Sequence, residues 1–367
     1  MYRVKTKRLV KTFTDMARIA SPSWKEREMI DYVLGAAKSI GLRARKFPCG
    51  ESHNLLLEMK GNRKGRPVLF SAHLDTVLPC EGVRPVVSRN RITSAGDTIL
   101  GSDDKAAIAM FLEAARCIGE TGMPHGPVEF LLTCAEEVGL KGAKGFDMSL
   151  LQSRYAFVFD CDGPIGKIVL QAPYQLTVEI TVTGRAAHAG MEPEKGVNAI
   201  NVLSEIITRL PSGRIDHETT MNVGTVSGGR ATNIVAEKAT CLLETRSLDR
   251  KKLRQQESLV RSTARGTAAE MGARCAVRSE LEYSGFTIRP GDPVARIALR
   301  AMERAGINHH FEVSGGGSDT NIFNRAGVKA INLSAGMRNV HTTREYIMIR
   351  DLVNGAKVVL SIIDSAR

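Results

Sequence analysis

Two rhythms of apolar and polar residues run along the chain. Over residues 54–59, 67–72, 128–133 and 155–159 the sequence is apolar at nearly every position, and these runs alternate with helical patterns such as residues 105–117. A run that is apolar at consecutive positions belongs to a strand covered on both faces. Its alternation with helices predicts an α/β unit with a mostly parallel central sheet. Ahead of them, residues 1–20 mix Lys5, Lys7, Arg8 and Lys11 with spaced Leu9, Val10, Phe13, Met16 and Ile19, the pattern of an amphipathic helix. Ser23-Trp24-Lys25-Glu26 has the form of a capping box, so a helix is expected from there to about Ile40, closed by Gly41.

From Tyr174 the rhythm changes. Residues 175–183 alternate strictly, with Leu176, Val178, Ile180 and Val182 on one side and Thr177, Glu179 and Thr181 on the other, as in a sheet with one wet face. A helix over 198–209, strands over 219–226 and 239–246, a polar helix over 250–271 and a strand over 274–281 complete the order βαββαβ. That order is ferredoxin-like. Because the first rhythm resumes near Asp292, the chain is expected to form a discontinuous larger domain, residues 1–173 and 285–367, with an inserted domain, residues 174–284. A length of 367 residues agrees with more than one core.

Composition narrows the classes. Hydrophobic residues at 43% and charged residues at 25% are ordinary globular usage, without low-complexity tracts or repeats. No stretch is apolar for long enough to span a bilayer, and the amino-terminal segment lacks the unbroken apolar centre of a signal peptide, so no membrane partner is expected. The net charge of +12 is spread along the chain without interleaved aromatics, which favours a solvated basic surface over a nucleic-acid partner. The seven cysteines are odd in number, scattered and free of CxxC pairs, so reduced thiols in a cytoplasmic protein are expected and a cysteine-built metal site is not.

The chemistry-bearing residues gather where apolar strands end. Residues 67–72 run into His73-Leu74-Asp75, residues 128–133 lead to Glu136-Glu137, residues 155–159 into Asp160-Cys161-Asp162, and residues 329–333 lead on to His341. In open α/β sheets ligands bind beyond the carboxyl ends of the strands. A fifth contribution, Asp103-Asp104, opens an Ala-rich helix. Singly, each has a plain structural explanation: an HxD pair on a surface, glutamates decorating a helix start, aspartates at an N-cap, a solvated histidine. Jointly they fit a dinuclear metal site, in which ions about 3.5–4 Å apart share a bridging carboxylate and activate a water. Asp, Glu and neutral His without thiolate suit zinc, manganese or cobalt. One of two adjacent glutamates could serve as base while its neighbour binds metal.

HLDT (73–76), GSDDKA (101–106), AEEVGLKGA (135–143), FDCDG (159–163), GRAAHAG (184–190), GGGSDTN (315–321) and NVHTTREY (339–346) resemble, in order and over nearly the whole chain, the co-catalytic dizinc metallopeptidase family. That family includes peptidase T, glutamate carboxypeptidase, succinyl-diaminopimelate desuccinylase and aminoacylase. SDDKA and EEVGLKGAKGFD are most similar to peptidase T and related tripeptide aminopeptidases. The resemblance implies two Zn2+ per subunit, with Mn2+ or Co2+ as substitutes. Asp103 would bridge them, His73 and Asp160 would complete one site, and Glu137 and His341 the other. Asp160 is preferred to Asp162 because it directly ends the apolar strand. Glu136 would be the general base and Asp75 would hold the His73 ring.

His188 resembles the histidine that helps polarise the scissile carbonyl, often across a subunit interface; its plain alternative is a turn histidine. Asn233 and Arg246 resemble residues that hold a substrate's terminal carboxylate, and the Gly315-to-Asp319 loop would line the cleft. The inserted domain would act as lid and dimerisation domain of a homodimer. The implied activity is cleavage of short peptides from the amino end, by a metal-bridged hydroxide with a glutamate base. The same site would serve an amidohydrolase or carboxypeptidase acting on N-acyl amino acids or dipeptides. A non-catalytic binding protein on this scaffold would be expected to have lost Glu136 or a ligand.

Overall fold

The computed structural model describes residues 3–366; residues 1, 2 and 367, at the ends of the first predicted helical segment and of the larger domain, lie outside the described residues. Contacts divide the chain into two units, one of Met1–Gln171, Thr287–Ser314 and Ser318–Arg367, the other of Ala172–Phe286 and Gly315–Gly317.

The larger unit is built on a nine-stranded sheet. At its centre Val128–Thr133, Val68–His73, Tyr155–Cys161 and Lys329–Ser334 lie side by side and parallel. These strands are the apolar runs of the sequence, buried at nearly every position because helices cover both faces. The sheet is mixed beyond this centre. Ser52–Met59 runs antiparallel to Val128–Thr133 and pairs with Arg43–Cys49 in a hairpin, and Lys167–Ala172 runs antiparallel to Lys329–Ser334. The Arg43–Cys49 strand is an edge, half exposed along its length, and its Arg and Lys residues hide it from a search for apolar runs.

Phe70 packs against Phe130 and Phe157 from the two adjacent strands and against Phe111 of the helix Ser102–Thr121, with ring centroids 5.6–5.8 Å apart. That helix is buried along almost its whole length, as an Ala-rich segment apolar on all sides should be. Helices Thr6–Ala17 and Ile349–Ser365 pack against it. Arg8 reaches Glu113, which is fully buried, with Nε 2.7 Å from Oε2. None of the helices among the described residues is long and apolar enough to cross a membrane.

The second helix, Arg27–Ile40, ends at Gly41 in the left-handed conformation as expected, but its start corrects the capping-box expectation. Glu26 is the N-cap and makes no side-chain cap. Ser23 Oγ instead donates to Asp75 Oδ2 (2.7 Å), and Glu26 Oε1 accepts from the amides of Trp24 and Ala135, both 2.9 Å. Both polar groups serve the strand ends of the sheet: Glu26 accepts from the buried Ala135 amide, and Ser23 donates to the buried Asp75 carboxylate.

A small four-stranded sheet of Pro85–Val87, Arg91–Ser94, Met337–Arg338 and Tyr346–Met348 also belongs to this unit. The last two strands pair antiparallel and carry His341 on the loop between them.

The smaller unit has the expected βαββαβ order, with Tyr174–Thr183, Ala199–Arg209, Thr219–Gly228, Lys238–Ser247, Arg250–Glu270 and Arg274–Tyr283, plus the short strand Gly213–Arg214. Its antiparallel sheet is ordered Gly213, Thr219, Lys238, Tyr174, Arg274 by first residue. The alternating residues Leu176, Val178, Ile180 and Val182 face Val202 and Ile206 of one helix and Leu253 and Val260 of the other. Asn198 caps the first of these helices by accepting from the amides of Ile200 and Asn201.

Candidate metal centre

Parallel pairing brings the carboxyl ends of the central strands to one edge of the sheet, and the candidate residues follow from it. His73 is the last residue of Val68–His73, Asp160 is the last but one of Tyr155–Cys161, and Glu136-Glu137 follow Val128–Thr133 after two residues. The turn holding the two glutamates is locked from below. Asn54 accepts from the Cys134 amide (3.0 Å) and donates to the Gly142 carbonyl (2.9 Å), and the Gly142 amide donates to Cys134 O (2.9 Å). A β-carbon on Gly142 would stand 2.3 Å from Cys134 O, so the glycine of AEEVGLKGA is required for that approach.

Asp103 and Asp104 do not cap their helix. Both have non-helical backbone angles, with ψ 103° at Asp103 and φ −119° at Asp104, and Gly101 in the left-handed region precedes them. This geometry turns both carboxylates toward the strand ends. His341 has a positive φ of 62°.

The side chains converge. His73 Nε2 lies 3.1 Å from Asp103 Oδ1 and 3.7 Å from Asp160 Oδ1, while His341 Nε2 lies 3.2 Å from Asp103 Oδ2 and 3.1 Å from Glu137 Oε1. Asp103 thus gives one oxygen to each imidazole. His73 Nδ1 is 2.9 Å from the main-chain oxygen of Asp75 and 3.4 Å from its Oδ1. That contact fixes the ring with Nε2 inward. The Asp75 carboxylate also accepts from the amides of Glu136 (2.9 Å) and Glu137 (3.2 Å), so one acid holds the histidine and the paired glutamates together.

Charge at this edge is unbalanced. Burial pushes Glu136 and Asp160 well above the usual carboxylate range, with neighbouring carboxylates adding to it, and burial does the same to Asp104. Asp103 is the exception: burial opposes its charge, but hydrogen bonds with His341 and His73 hold its pKa low. His341 is pushed up to about 10 by its contacts with Asp103 and Glu137. More carboxylates than imidazoles are buried together, with one Asp104 oxygen lacking any hydrogen bond. Divalent cations would relieve that excess, and two ligand-sized groupings are present: His73, Asp103 and Glu137, and His73, Asp104 and Asp160. The donors are nitrogen and oxygen, which suits zinc, manganese or cobalt.

Other expected residues stand apart from this cluster. Asp162 is exposed and pairs with Lys167 at 2.8 Å, whereas Asp160 faces His73. His188, Asn233 and Arg246 belong to the smaller unit. His188 is exposed, bridges antiparallel to Ile234, and lies beside Asn233, whose carbonyl accepts from the Ala189 amide. Arg246 lies toward the other end of Lys238–Ser247, with Nε and Nη2 each 3.0 Å from the Glu244 carboxylate and Nη1 3.3 Å from Gly315 O. Gly315–Gly317 pack with the smaller unit and Asp319 with the larger.

Three further buried acids lie beside the cluster, and the sequence did not show that their carboxylates serve it. Asp319, pushed up to about 6 by burial, accepts from Thr133 Oγ1 at 2.6 Å. Glu26 and Glu345 bind main-chain amides of the metal-facing segments. Glu345 sits within NVHTTREY, four residues after His341, the one sequence signal that could have found it.

Known proteins fall on the same pattern. Residues 174–271 match the M20 peptidase dimerisation domain and residues 54–190 match peptidase family M28. The uncharacterized protein YqjE of Bacillus subtilis is 38% identical over 368 residues, covering 99% of each chain. The crystal structure of aminopeptidase PepT from Bacillus cereus is 36% identical with a TM-score of 0.91, again over 99% of each chain. That of a tripeptidase from Staphylococcus aureus is 34% identical with a TM-score of 0.94 over 99% of each. With its strand-end cluster of acids and imidazoles, its inserted dimerisation domain and relatives matched from end to end, the chain belongs to the M20 family of metallopeptidases, on its peptidase T-like branch.

Proposed function

We propose that the protein is a tripeptide aminopeptidase in which His73 and Asp160 would hold one zinc ion, Glu137 and His341 would hold a second, and Asp103 would contribute to both. The observation that carries this reading is the Asp103 carboxylate, whose two oxygens each face a different imidazole, at 3.1 and 3.2 Å. When bound, such ions supply Lewis-acid polarisation of a carbonyl and a nucleophile at neutral pH.

The chain's own groups supply the proton transfers. Glu136 has its amide held by Asp75, and burial keeps its proton affinity high, so its carboxylate can accept a proton from the attacking water and deliver it to the leaving nitrogen. Asp75 keeps the His73 ring in one orientation. From the smaller units, His188 would polarise the scissile carbonyl, and Asn233 of one subunit with Nη1 of Arg246 of the other would hold the peptide's carboxyl end, Glu244 already taking the Nε and Nη2 edge of the guanidinium. His188 and Arg246 lie toward opposite ends of one sheet. This supports their serving two different sites in a homodimer formed through the dimerisation domain, with the smaller unit also acting as a lid. All seven cysteines are free, which supports a reducing, cytoplasmic setting.

The test is hydrolysis by protein reconstituted with Zn2+, Mn2+ or Co2+. A free-amino tripeptide should be cleaved and its N-acetylated form left intact. Preference for the acetylated form, or for N-acyl amino acids, would replace this reading with an amidohydrolase.

A further inference from the structure

Glu345 lies four residues beyond His341, at the end of the loop between Met337–Arg338 and Tyr346–Met348, and is 2% exposed. Its carboxylate accepts four hydrogen bonds, every one from the segment that leads into Asp103. Oε2 takes the amides of Leu100 (2.7 Å) and Gly101 (2.8 Å); Oε1 takes Ser102 Oγ (2.5 Å) and the amide of Asp103 itself (3.1 Å). Four donors use about the full acceptor capacity of a carboxylate. Gly101, at φ 72° and ψ 31°, is the left-handed residue that lets successive amides turn to one side. A buried acid is costly without partners, and these partners repay it through charge-assisted bonds to the backbone of a single loop.

We infer that Glu345 is a positioning residue for the metal centre, fastening the Asp103 segment to the His341 loop so that two ligands from distant parts of the chain meet at a fixed spacing. The inference rests on the metal centre proposed above. His341 is half exposed and sits on a loop, so sheet packing alone does not set its distance of 3.2 Å from Asp103 Oδ2. The Glu345 clamp closes that gap: it grips the amide of Asp103 while standing immediately before the strand that leaves the His341 loop. Asp75 plays the matching part for His73 and the Glu136-Glu137 turn.

Glu345→Gln keeps the size of the side chain but replaces an acceptor oxygen with an amide nitrogen that confronts two of the four donors. Metal-stripped wild-type and variant protein are titrated with Co2+, followed by calorimetry and by the visible spectrum of the bound ion. The variant should bind Co2+ about 10- to 100-fold more weakly and show an altered spectrum. Glu113→Gln removes a different buried carboxylate, the partner of Arg8, and serves as control. It should lower Tm and leave both cobalt readouts at the wild-type values.

If Glu345→Gln does not fold, Ser102→Ala removes one donor of the four and should weaken Co2+ binding about two- to tenfold. Wild-type affinity and spectrum in Glu345→Gln, or wild-type affinity in Ser102→Ala, overturn the inference while leaving the metal centre standing. A wild-type protein that takes up no Co2+ sinks the centre and this inference together.

Discussion

The edge of the larger unit that gathers the metal-facing side chains and the exposed loop of the smaller unit that carries His188 are both marked by distinctive motifs, yet they are held in opposite ways. At the sheet edge every group named is tied to the backbone of another: Asp75 to Glu136 and Glu137, Glu26 to Ala135, and Glu345 to the approach to Asp103. His188, by contrast, stands in solvent with its Nδ1 accepting only from the Gly190 amide, at 3.2 Å. A preorganised metal cluster must be held within a fraction of an ångström. A group that meets substrate only on assembly or closure can be held by its loop alone.

This contrast can be broken or sharpened by substitution. The largest effect is expected for Glu136→Gln, which should keep its metal content by elemental analysis and lose about 10²- to 10⁴-fold in kcat; near-normal turnover would remove Glu136 as the base. Next, His341→Ala should reduce bound metal to about one ion per chain and lower kcat with it, and unchanged stoichiometry would take His341 out of the ligand set. His188→Ala should lower kcat by about 10²- to 10³-fold while metal content and Tm stay at wild-type values. A loss of metal in that variant would erase the distinction between the two regions. Arg246→Ala should mainly raise KM for a free-carboxyl tripeptide, with little change for its C-terminal amide. Arg8→Met, remote from both regions, should cost about 1–3 kcal/mol by leaving Glu113 buried with fewer partners, seen as a lower Tm with unchanged kcat.

What the sequence made legible follows the same division. The central strands announced themselves because burial on both faces writes consecutive apolar residues, and an acid at the end of such a run, like Asp160, has no structural reason to be there. The alternation from Leu176 to Val182 carried the smaller unit in the same way. The Ser23-to-Glu26 segment is spelled as a capping box, but the same two residues can equally supply a hydroxyl donor to Asp75 and a carboxylate acceptor to Ala135; only the position of those partners in space decides between the two. The roles of the Asp319 and Glu345 carboxylates stayed hidden for a related reason. An acid in a polar loop resembles any solvated acid until the topology buries it, Asp319 against the Thr133 hydroxyl and Glu345 beneath main-chain amides. The Arg43–Cys49 strand was not legible because it alternates charge with weak apolarity, as an edge does.

The loop between Met337–Arg338 and Tyr346–Met348 carries a consequence for biosynthesis. His73, Asp103, Glu137 and Asp160 emerge from the ribosome long before His341 and Glu345. On the ligand assignment proposed above, a nascent chain would carry an incomplete set until translation has passed that hairpin. A peptide-cutting activity assembled in this order would stay silent during its own synthesis.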